Sequence, residues 1–169
     1  MNAEYYHYTG ELKEVQTMKL AEALIARADY QKRIEQLKKR IHMNLKIQEG
    51  DEPSEDPNEM LSELAEIRQE LTSLIKKINR TNCEIRFDDE RTLADALTER
   101  DQLVDQRSLL SKVVDEASQQ VGRYSQSEIR IVSTVNVKAI QKQVDHLSKA
   151  YREMDTKIQG MNWNIDLLD

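Results

Sequence analysis

Apolar residues recur along this chain at steps of three and four, with polar and charged residues between them. The longest such line is Val137, Ile140, Val144, Leu147, Tyr151, Met154, Ile158, Met161, Ile165 and Leu168. A heptad stripe of that length predicts a helix packed as in a coiled coil. A second line, Met60, Leu64, Ile67, Leu71, Leu74 and Ile78, predicts another helix. Asp56 is placed to cap it, Pro57 suits its first turn, and Glu59 completes a capping box. A first helix is expected from about Met18 to Gln48, with Leu20, Leu24, Ile34, Leu37, Ile41 and Leu45 inward and Gly50 as its stop. A third opens at Thr92 with Asp95 three residues on, carries Leu93, Leu97, Leu103, Val104, Leu110, Val114 and Ala117, and ends near Gly122.

Two stretches leave this rhythm. In "NCEIRFDD", Cys83, Ile85 and Phe87 alternate with polar residues; in "SEIRIVSTV", Ile129 and Ile131 do the same. Both patterns predict short extended segments. They flank the third helix, which at about 1.5 Å per residue holds its ends roughly 40 Å apart. Residues 121–128 reach about 26 Å at most. Pairing of the two segments is therefore expected only between subunits, or not at all. The fold class is all-α: long antiparallel helical hairpins in a coiled-coil-like bundle of four helices, with two short extended segments.

Residues 1–17 have no helical period and hold three of the six tyrosines. Lys13-Glu14-Val15 can be encoded by a purine-rich ribosome-binding sequence just before the Met18 codon. Residues 1–17 are thus expected to be a mis-assigned leader or a disordered tail. Residues 18–169 form a single helical domain.

Composition sharpens this picture. The chain is 33% charged and 38% hydrophobic, with four glycines and two prolines, a mix suited to amphipathic helices rather than a thick core. A net charge of −6 argues against a nucleic-acid partner. Cys83 is the only cysteine, so neither an intrachain disulfide nor a zinc set is expected. No apolar run approaches the roughly 20 residues that span a bilayer, and no export signal is present. The expected location is cytoplasmic.

Candidate chemistry is sparse. "EGDEPSEDPNE" holds six acids and no base. A hard cation binds clustered oxygens, but the EF-hand order is absent, and a solvated turn is expected instead. No cofactor and no metal are expected. His42 and His146 stand alone on their helices. Asn79, Arg80, Thr81 and Asn82 follow the last inward residue of the second helix and suit a helix stop, with Arg80 near the negative end of the dipole. Asn79 and Thr81 exceed what a stop needs. Arg100 and Arg107 lie on or beside the apolar stripe of the third helix, at its rim or in a buried network. Should Arg100, Gln31 and the Asn79–Asn82 cluster converge, an anion pocket of Asn79, Arg80, Asn82, Arg100 and Arg107 results. Trp163 falls off the inward line and marks a second contact surface.

"MKLAEALIARADYQKRIEQLKKRI", "QEGDEPSEDPNEML", "INRTN", "RYSQSEIRIVSTVNV" and "QKQVDHLSKAYREMDTKIQGMNW" together resemble a family of uncharacterised bacterial proteins, some labelled septicolysin. The resemblance spans essentially all of residues 18–169. It implies an all-helical fold and brings no catalytic site, while the label implies a cytolytic toxin. Narrow apolar stripes with heavily charged outer faces suit helix-on-helix burial better than lipid. The expected function is a non-catalytic structural or interaction protein: a homo-oligomer, as an antiparallel dimer or higher, with an unidentified protein partner. A membrane-active cytolysin and an anion-binding or enzymatic protein are the alternatives.

Overall fold

The computed structural model describes residues 17–119 and 132–169. Four helices account for nearly all of them: α1 (Leu20–Asn44), α2 (Pro57–Glu84), α3 (Leu93–Ser118) and α4 (Val137–Asn164). Their starts follow the local sequence. Asp56 accepts a hydrogen bond from the Asn58 amide at 2.8 Å, with Pro57 in the first turn of α2. Thr92 and Asp95 form a reciprocal capping box at the start of α3, and the Asn136 side chain accepts from the Ala139 amide at α4.

α1 packs chiefly on α2, and α3 on α4. The result is two antiparallel hairpins. The first turns of α1 and α3 meet the last turns of α2 and α4, and there all four helices share one core. That hub buries Leu20, Ala23, Ile78, Phe87, Leu93, Ala96 and Ile158. Beyond it each hairpin continues as a two-helix arm. The α1–α2 arm has its own dry seam of Ile34, Leu37, Ile41, Met60, Leu64 and Ile67. All ten positions of the predicted α4 stripe are buried or half-buried.

Several expectations need correction. Glu59 forms no capping box with Asp56, whose side chain bonds the Asn58 amide instead, and α3 ends at Ser118 rather than near Gly122. α1 stops at Asn44, not near Gln48, so Leu45 is exposed, and Gly50, at φ +97°, serves the turn that follows. The reason is a local competitor: the Asn44 side chain donates to the Arg40 carbonyl and accepts from Ser54 and Glu55, drawing the loop across the helix end. α2 does not stop at Asn82; it runs to Glu84, so Cys83 is helical rather than extended. Ile85 and Phe87 follow in the corner after α2, and of the two Phe87 is buried in the hub. Their corner closes on itself, with Leu93 N–H donating to the Ile85 carbonyl and Phe87 N–H to the Arg91 carbonyl. The single bridge between Arg86 and Thr92 replaces the expected strand. Most of the second predicted segment, residues 127–131, lies outside the described residues.

Candidate functional site

Among the described residues, three places gather polar chemistry or uncovered apolar surface. The first is built on the last turns of α2. Thr81 is fully buried. Its hydroxyl donates to the Lys77 carbonyl at 2.8 Å and accepts from the Leu168 amide at 3.0 Å. Arg80 donates to the main-chain oxygen of Asp169, and Lys77 pairs with the Asp169 side chain at 2.5 Å. The Lys77 hydrogen bond holds the Asp169 carboxyl below the usual range. On the opposite side, Leu20 N–H donates to the Ile165 carbonyl and Leu167 N–H to the Met18 carbonyl. Lys19 reaches Asp166 at 2.7 Å, and Thr17 donates to the same carboxylate. The segment 165–169 is thus pinned between the start of α1 and the end of α2.

This arrangement explains the residues that exceeded a helix stop. Thr81 and Arg80 clamp the segment after α4. Asn79 is exposed and Asn82 half-buried on the same turns. The arginines of α3 have other partners. Arg100 bonds Asp101 at 2.7 and 3.0 Å and reaches Asp155 of α4 at 3.5 Å. Arg107 stacks over the Tyr151 ring, 5.3 Å from its centroid. Both therefore serve the α3–α4 interface, whereas Arg80 serves the 165–169 segment. Gln31 is exposed on α1. Asp155 and Tyr151 were missed as partners because sequence spacing does not give the register between helices.

A separate ionic knot sits at the α2–α3 corner. Arg91 pairs with Asp88 and Glu99. Its hydrogen bonds to Asp88, with two backbone amides, pull the Asp88 carboxyl down to about 2. Two cations lie against the Phe87 ring, Lys157 at 4.0 Å and Arg91 at 5.1 Å from its centroid. In the acidic loop, Glu55 is taken by Arg40. Among the described residues no group of three or more His, Cys, Asp or Glu is placed to hold a metal ion.

The third place is the α3–α4 arm. Gln106, Leu109 and Leu110 of α3 and Lys142, Gln143, His146 and Leu147 of α4 line an open, mainly apolar groove of about 550 Å³. Leu109 is 63% exposed. Past Ala96, α3 buries no described residue, and the outer half of α4 buries only Val144. The signal was present in the sequence: Leu103-Val104, Leu109-Leu110 and Val113-Val114 are doublets, which widen an apolar stripe beyond what one partner helix covers. Trp163, 58% exposed, also stands off the core as expected.

A crystal structure of a functionally unknown conserved protein from Corynebacterium diphtheriae has the same architecture. It is 42% identical, with a TM-score of 0.85, and the match covers 89% of this chain and 99% of that one. Among curated proteins none matches. The match of residues 27–167 to the model of DUF6847, a family of unknown function, shows that the chain belongs to that family.

Proposed function

We propose that the protein is a non-catalytic helical interaction module that works as a homo-oligomer in the cytoplasm. The observation that carries this reading is the contrast between the arms. The α1–α2 arm buries six large apolar side chains in its own seam. The outer part of the α3–α4 arm leaves Leu103, Leu110, Val113, Val114, Ile140 and Leu147 half-covered. Burying such a side chain fully is worth about 1.5–3 kcal/mol, so half-coverage forgoes much of that gain until a partner arrives. Net charge supports a protein partner over nucleic acid. A reducing compartment suits the exposed thiol of Cys83. Within each polar cluster described above the charged side chains pair with one another, which favours a scaffold over a catalyst.

The test is a light-scattering mass across concentration. Twice the 19.7 kDa of one chain, or a higher multiple, is expected. A monomer at every concentration would count against the reading. The septicolysin label suggests membrane activity instead. No helix among the described residues is long and apolar enough to cross a membrane. Leakage from lipid vesicles on adding purified protein would favour that alternative.

A further inference from the structure

We infer that the α3–α4 groove is covered by the same groove of a second copy, with α3 of each chain lying on α4 of the other. This rests on the interaction reading above and goes further by naming the face, the occupant and the orientation.

Area comes first. The under-covered part of the arm, from Leu103 outward, is about 24 Å long and about 20 Å wide, at 1.5 Å per residue and two helix diameters. That footprint is roughly 500 Å² per subunit and about 1,000 Å² for the pair, the lower bound for a specific interface. A two-fold pair also turns the two-helix arm into a four-helix bundle, in which the apolar doublets of α3 face a core on both sides.

Charge selects the orientation. From Leu103 outward α3 carries three acids and two bases, whereas the facing part of α4, from Val137 to Tyr151, carries one acid and three bases. Arms paired head to tail would set α3 on α3 and α4 on α4, like charge on like. A two-fold axis along the arms sets acidic α3 on basic α4, with hub beside hub and neighbouring helices antiparallel. The register that places Gln106 to Leu110 against Lys142 to Leu147 puts Asp105 level with Lys149. In this arrangement Asp105 of one chain approaches Lys149 of the other. Groove-lining Gln106, close to the axis, meets its own copy.

The full chain carrying Cys83→Ser tests this. With Gln106→Cys added, mild oxidation should give a disulfide-linked dimer; Gln69→Cys, on the outside of α2, should not. Leu109→Lys, at an already exposed position, should keep the fold by circular dichroism and weaken the dimer at least tenfold. Asp105→Lys and Lys149→Asp should each weaken it, and the double variant should recover. A dimer that ignores Leu109→Lys, and that forms no disulfide when it carries Gln106→Cys, overturns this arrangement while leaving the interaction reading standing. A dimer disrupted by Leu109→Lys, with no recovery in the double variant, overturns the α3-on-α4 orientation. A monomer whose groove is shielded by residues 120–131 overturns both.

Discussion

Thr81 shows how one side chain can join two distant parts of a chain. A hydroxyl with no solvent access must use its hydrogen-bonding capacity within the protein. It donates backward into α2 and accepts from Leu168, 87 positions away in sequence. Thr81→Val keeps the shape and leaves the Leu168 amide without its acceptor. A loss of about 1–3 kcal/mol is expected in denaturant unfolding, and Thr81→Ser should retain most of the stability. Asp88 makes a second case. Its carboxyl titrates near 2 because Arg91 donates to it, below the usual 3.8. A depressed value means that the ionised form favours the folded state. Its contribution is present above the unfolded value and is lost as pH falls through about 2. Melting curves of Asp88→Asn should lie below the parent at about pH 6 and converge with it only as pH falls through about 2.

At the scale of elements, helix existence was readable and helix ends less so. The stripes of α2 and α4 fall where spacing placed them, because burial selects one face at a period of 3.6 residues. Ends are decided by small competitions, such as Asn44 bonding to the incoming loop, or Phe87 being drawn into the hub. Gly160 tests the α4 assignment. It sits within α4, with open space where a Cβ would be. Gly160→Ala should therefore stabilise the protein by about 0.5–1 kcal/mol, raising the melting temperature by a few degrees. The two arms should also differ in opening. Under dilute conditions where the protein is monomeric, amides of the outer α3–α4 arm should exchange with solvent faster than those around Leu37 and Leu64. Their under-covered seam gives less resistance to local unfolding. Equal protection at low concentration would argue that the arm needs no partner.

The described residues form two hairpins joined at one end, and that join depends on the segment after α4. Ile165 and Leu167 bond to the start of α1, Leu168 and Asp169 to the end of α2. Removing residues 166–169 should cost at least about 2 kcal/mol, through several lost hydrogen bonds and reduced cover over the hub. If unfolding were unchanged, the segment would be an ornament rather than a clasp. Asn79–Asn82 stood out in the sequence as richer than a helix stop, yet the partner of this cluster was out of reach. Contacts between Arg80 and Asp169 depend on how hairpins dock, and periodicity within one helix carries no information about that.

Spacing and local caps alone determined that this chain has four amphipathic helices, which faces turn inward, and where α2 and α3 begin, since those features follow from backbone geometry and local capping. Tertiary structure alone decided that the helices share a hub at one end only, that Arg100 and Arg107 serve α4 rather than the Asn79–Asn82 cluster, and that one arm is left half-dressed. These depend on the relative placement of elements far apart in the chain. Many side-chain pairings satisfy the same periodic pattern, and only packing in three dimensions selects among them.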